Sequence, residues 1–106
     1  MREDDFLCWM QSQGKMKSRP MRDAVSRCKR LERKIDGLNI NLDEEYNEDG
    51  GASLISMLTY TRADEKMGIP MPGGLVFQPG ADPVNGMASL KSAAKKYFEF
   101  CLSAPI

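Results

Sequence analysis

The chain of 106 residues contains no histidine, only three cysteines and no net charge: fifteen lysines and arginines balance fifteen carboxylates. Without histidine, the commonest general acid–base and metal-ligating side chain is missing. Cys8, Cys28 and Cys101 are far apart in sequence and form no CxxC pair, so neither a zinc site nor a disulfide framework is expected. All three read as small buried hydrophobes in a reducing cytoplasm. No apolar run approaches the roughly 18 residues of a membrane span. The opening Met1-Arg2-Glu3-Asp4-Asp5 is acidic and has no apolar core of a signal peptide. Neutrality also argues against strong non-specific binding to nucleic acid, whose dedicated binders usually carry net positive charge.

Chemical motifs are equally sparse. Gly73-Gly74 and Asp49-Gly50-Gly51 lack the Lys-Ser/Thr of a phosphate-binding loop and the spacing of a dinucleotide fold. No serine sits in a GxSxG elbow. The carboxylates Asp43, Glu44, Glu45, Glu48 and Asp49 read as the solvated face of a short helix rather than a catalytic pair. No residue is therefore assigned to catalysis, and no metal or cofactor is expected.

What the chain does have is charge in blocks. Residues 15–34 carry nine basic side chains against two acidic ones, whereas residues 43–49 carry five acids and no base. The basic block coincides with the clearest helical pattern, from Arg19 to Asp36. At about 100° per residue, Met21, Ala24, Val25, Cys28, Leu31 and Ile35 fall in one arc of roughly 120°. Arg22, Arg27, Lys29, Arg30, Arg33 and Lys34 fill the opposite side. Ser18 suits the N-cap, Pro20 the first turn and Gly37 the C-terminal stop.

The other segments read as follows. A short helix runs from Asp5 to Gln13, capped by Asp4 or Asp5 and ended by Gly14. A short acidic helix runs from Leu42 to Asn47 behind Asn41 as cap. A further helix runs from about Ala52 to Thr61, with Leu54, Ile55, Met57 and Leu58 inward, and can continue towards Gly68. Residues 68–86 hold four prolines and five glycines, and read as a strap pinned by the island Leu75-Val76-Phe77. The last helix begins near Asn85 or Gly86, or earlier at Pro83 behind Asp82, and runs to Leu102. The expected fold is all-α: a single domain over residues 1–106, a compact bundle of four to five short helices with one long Pro/Gly-rich loop.

Phe6 and Trp9 in the first helix precede Ala24-x-x-Arg27-x-x-Arg30-Leu31-Glu32. The chain closes with Ala88-Ser89-Leu90-Lys91-Ser92-Ala93-Ala94-Lys95-Lys96-Tyr97-Phe98-Glu99-Phe100. This arrangement resembles the N-terminal core-binding, SAM-like domain of tyrosine recombinases and phage integrases. That family opens with an aromatic F-x-x-W/Y-L helix and closes with S-x-x-(R/K)-x-x-Y-x-(F/Y). The resemblance implies a helical bundle that clamps one side of a DNA duplex. The recombinase's catalytic arginine, histidine and tyrosine domain has no counterpart in these residues, so the resemblance implies an accessory or regulatory module of mobile-element origin, or one that has lost DNA binding.

Two functions stay open. In one, the chain is a non-enzymatic module that binds double-stranded DNA, with Arg22, Lys29, Arg30, Arg33, Lys91 and Lys95 on phosphates. In the other, it is a protein-interaction or oligomerisation domain whose acidic and basic faces meet complementary faces, on another protein or a second copy. No membrane partner is expected.

Overall fold

The computed structural model describes all residues except Val76, Pro79, Pro105 and Ile106, and its ordered elements are helical. Six helices follow in order: α1 (Glu3–Gln13), α2 (Ser18–Glu32), α3 (Leu42–Asp49), α4 (Ala52–Met57), α5 (Arg62–Lys66) and α6 (Pro83–Ser103). One 3₁₀ turn, Pro72–Gly74, interrupts the strap between α5 and α6. No strand occurs among the described residues. None of the helices is long and apolar enough to cross a membrane.

The long helix α6 is the axis of the bundle. Asp82 caps it by accepting the amides of Val84 and Asn85, with Pro83 in the first turn where its missing N–H costs nothing. Its buried residues, Met87, Leu90, Ala93, Ala94, Tyr97, Phe98, Phe100 and Cys101, recur at three- and four-residue spacing. Helix α2 packs along it more extensively than any other element. Small residues allow that approach: the Cys28 thiol donates to the Ala93 carbonyl at 3.4 Å, and Ala24 and Ala93 line the same cavity between the two helices. Helix α1 closes the other end through Phe6, whose ring meets Tyr97 edge-on at 5.0 Å and Phe100 at 5.6 Å. Trp9 lies 5.9 Å from Phe100 at the margin of this cluster.

Several boundaries differ from the sequence pattern, each for a local reason. Helix α1 starts at Glu3, and neither Asp4 nor Asp5 caps it; Arg2 is the cap residue, without a side-chain bond. Lys17, not Ser18, precedes α2. Helix α2 stops at Glu32, because Arg33 turns to an extended backbone and the chain folds back. The Leu38 amide then reaches the Leu31 carbonyl at 2.9 Å, and Leu38 covers the end of the core. Ile35, which continues the apolar arc on paper, is left 79% exposed. The left-handed positions of this turn are Asp36 and Asn39 rather than Gly37.

Helix α3 follows the pattern for longer than expected: Asn41 accepts the Glu44 amide, and the helix reaches Asp49. The stretch read as one helix from Ala52 is two. Thr61 and Asp64 cap each other's backbone in a reciprocal capping box that starts α5. Leu54 and Leu58 are buried as expected, but Met57 is exposed. In the strap, Leu75 is buried and Phe77 packs against the core, while Val76 lies outside the described residues. Arg62 ties the two ends of the strap together by pairing with both Glu65 and the cap residue Asp82.

Candidate nucleic-acid interface

The basic arc of α2 does not form one continuous face in the fold. Arg22 and Lys29, seven residues apart, lie on the flank towards α1. There Lys29 Nζ pairs with Glu3 Oε1 at 2.9 Å, and Arg22 is solvent-exposed. Arg27, Arg30 and Arg33 lie on the other flank, against α6 and the strap.

Two adjoining surface cavities run along this second flank. One, of about 380 Å³, has Ser26, Arg27, Arg30 and Arg33 on the α2 side and Phe77 and Ser89 opposite. Among the described residues, none that lines it carries a carboxylate. The next, of about 470 Å³, shares Arg27 and Ser89 and adds Asp23, Ser92 and Lys96. Across both, four cations face the single carboxylate of Asp23. Lys96 also contacts Glu99 one turn further on, at 3.4 Å.

Arg30 is the fixed member of this wall. Its Nε donates to the Asp36 carbonyl at 3.0 Å, and its guanidinium carbon sits 4.6 Å from the centre of the Phe77 ring. Such a cation–π contact holds the guanidinium plane over the aromatic face. Phe77 also lies against Gly86, in the first turns of α6. A Cβ at Gly86 would overlap the Phe77 ring, so the absence of a side chain there lets the aromatic seat against the helix.

The six sequence-derived contact residues therefore separate into three places. Arg30 and Arg33 line the groove. Arg22 and Lys29 sit on the α1 flank. Lys91 and Lys95 lie on the far side of α6. Lys91 Nζ donates to Thr59 Oγ1 at 2.8 Å, and Lys95 borders an apolar depression formed by Tyr46, Phe98 and Leu102. Arg27 and Lys96 occupy the groove, although neither stood among those six.

The acidic segment makes its resolved contacts elsewhere. Asp43 accepts the Tyr97 hydroxyl at 2.6 Å and pairs with the Met1 ammonium at 3.4 Å. Asp49 accepts the amides of Gly51 and Ser53. Burial, followed by repulsion from Glu48, Asp49 and Glu44, raises the Glu45 carboxyl above its usual value. Among the described residues no ion pair joins this segment to the arginines of α2.

The cysteines divide as well. Cys28 and Cys101 are buried, and burial pushes the Cys28 thiol up to about 12. Cys8 is exposed, contrary to the sequence reading, because it points away from the Phe6–Met10 face of α1. No family model, curated protein or solved structure matches the chain.

Proposed function

We propose that the chain is a small, non-enzymatic nucleic-acid-binding module that holds a phosphate backbone against α2. One observation carries the reading: Arg27, Arg30 and Arg33 converge on a cavity whose lining, among the described residues, includes no carboxylate. Guanidinium groups bind phosphate oxygens bidentately and keep their charge at any working pH. A groove with three of them attracts a polyanion while the molecule as a whole remains neutral. The helical bundle is compatible with the resemblance to the recombinase core-binding domain, and an accessory role in a mobile element in the cytoplasm accords with it.

The test is fluorescence anisotropy of a labelled oligonucleotide at two salt concentrations. Contacts from Arg27, Arg30, Arg33 and Lys96 should give a log–log salt slope of about −3 to −4. Replacing Arg27 and Arg33 together by Ala should flatten it by about 1.5–2. Replacing Lys91 and Lys95 should leave it unchanged. Absence of binding at low salt by folded protein refutes the reading.

A protein-interaction role is the second reading. It is favoured by the exposed Glu44, Glu48 and Asp49 of α3, which contact none of the α2 arginines. Head-to-tail contact between copies would show as a mass by light scattering that grows with concentration and falls with salt.

A further inference from the structure

The apolar depression between α3 and α6 has a volume of about 480 Å³. Tyr46 and Phe98 form its floor, their rings stacked at 6.1 Å, and Leu102 stands at its edge. Leu102 lies in the last turn of α6 and is 74% exposed. A lone exposed leucine is ordinary. A leucine beside an open apolar hollow is a knob next to a hole. Two copies related by a two-fold axis near Leu102 place each knob in the other's hole, which is the isologous contact of a closed dimer.

Charge follows the same symmetry. The α3 wall of the depression is a helix with five carboxylates and no base. It ends at Gly50, so the negative end of its dipole adds to those charges. On the other side of α6, Glu99 borders both the depression and a small cavity of about 70 Å³ that Lys15 and Lys96 line. Lys15 opens a basic stretch that continues through Lys17 and Arg19, all exposed at the corner between α1 and α2. The face therefore runs from a basic edge, across Leu102, to an acidic edge. Rotation by half a turn lays the basic edge of each copy on the acidic edge of the other. Neither edge is neutralised at home. Among the described residues Glu44, Glu45, Glu48 and Asp49 have no cationic partner, and Lys15, Lys17 and Arg19 have no carboxylate.

We infer that the chain pairs with a second copy of itself across this face, each Leu102 seated on the Tyr46–Phe98 floor of the other and each basic corner against the other's α3. This rests on the second, protein-interaction reading above and narrows it to a closed pair. It is independent of the nucleic-acid reading, since Arg27, Arg30 and Arg33 line neither cavity. Steering by the charged edges sets the register, and the apolar contact supplies the salt-insensitive part of the affinity.

The experiment is light scattering on the whole chain, from micromolar to millimolar protein at low salt. The mass should rise from that of one chain to that of two and stop there. Leu102→Asp puts a charge on the partner's apolar floor and should weaken the pair at least about tenfold. Lys15→Glu with Lys17→Glu should weaken it several-fold, as should Glu44→Lys with Glu48→Lys. All four charge substitutions together should restore most of the affinity, because each reversed edge then meets the other. The five side chains are exposed, and circular dichroism melts verify that each variant is folded. The leucine and charge variants test the face separately, so failure of one to fold leaves the other. A one-chain mass throughout overturns the inference, while the oligonucleotide titration decides the nucleic-acid reading by itself. A mass that climbs beyond two chains overturns the closed pair and keeps the head-to-tail contact. A pair untouched by Leu102→Asp, or a quadruple variant no tighter than its parents, shows that another face pairs and overturns this one.

Discussion

Tyr97 is the most informative residue to perturb, because its ring and its hydroxyl hold different parts of the fold. The side chain is fully buried, and the ring packs among Phe6, Phe98 and Phe100. The hydroxyl donates to Asp43 Oδ1 at 2.6 Å and accepts the Arg2 amide at 2.8 Å, so it joins the start of α1, the start of α3 and the body of α6. Burial first, and then the bond to Asp43, hold the phenol well above its ordinary value of 10.0, so it stays a donor throughout the neutral range. Tyr97→Phe deletes only the hydroxyl. It creates no large cavity, so the cost is in hydrogen bonds. A bond to a carboxylate contributes about 1.5–3 kcal/mol, and an amide left without its acceptor costs about 1 kcal/mol more. The expected loss is about 2–4 kcal/mol, a substantial part of the roughly 5–15 kcal/mol typical of a domain. With an m-value near 1.5 kcal/mol/M, the urea midpoint should fall by about 1.3–2.7 M. A cycle with Asp43→Ala should return a coupling of about 1–2 kcal/mol between the two side chains. A loss below about 0.5 kcal/mol, or additive single mutants, would show that the junction is held by ring packing alone.

Gly50 and Gly51 both have positive φ, at 70° and 84°, but only Gly51 faces a neighbour, since a Cβ there would overlap the Phe98 ring. Gly50→Ala should cost about 1–2 kcal/mol in backbone strain, and Gly51→Ala clearly more; equal thermal shifts would contradict the packing. Of the three thiols, Cys8 should react with a disulfide reagent at once, and Cys28 and Cys101 only as the protein opens. Burial, then the nearby Glu32, raises Cys28 from an ordinary 9.0 to about 12, so its protonated form is favoured in the fold. The contribution is fully present below pH 9 and is lost as pH rises towards 12, up to roughly 4 kcal/mol, and Cys28→Ala should flatten this alkaline decline in urea midpoints.

The apolar pattern was sufficient for the bundle because each long helix has one core to face. Leu31, Val25, Leu54, Leu58, Leu90, Ala94 and Tyr97 all join the same buried cluster. Where the pattern misled, a local hydrogen bond outcompeted it. Ile35 continues the arc of α2, yet the fold-back that joins Leu38 to Leu31 ends the helix first. The two-helix reading of residues 52–66 was written in Thr61-Arg62-Ala63-Asp64, a capping signature that signals a new start inside an apolar run. The polar role of Tyr97 was not legible, since its partner Asp43 is 54 residues away and periodicity places only the ring.

The groove posed a different problem, which concerns the direction of charges rather than their number. On a helix, one residue of sequence turns a side chain by about 100°, so Lys95 and Lys96 belong to different flanks of α6. Both lie outside the apolar stripe, and hydropathy alone treats them alike. The flank on which α2 packs is marked instead by small residues: Ser89, Ser92 and Ala93 on α6, Ala24 and Cys28 on α2. Side chains of that size let two helices approach closely, and a long cation beside them becomes the wall of the resulting groove. Arg27 follows Ala24 by three residues and Lys96 follows Ala93 by three, so both were identifiable once the small residues were read as the seam. Lys91 and Lys95 lead to Thr59 and the Tyr46–Phe98 depression instead. A basic helix therefore acquires a binding direction from the residues that bring its neighbour close, and here those residues direct Arg27, Arg30 and Arg33 towards Ser89 and Phe77.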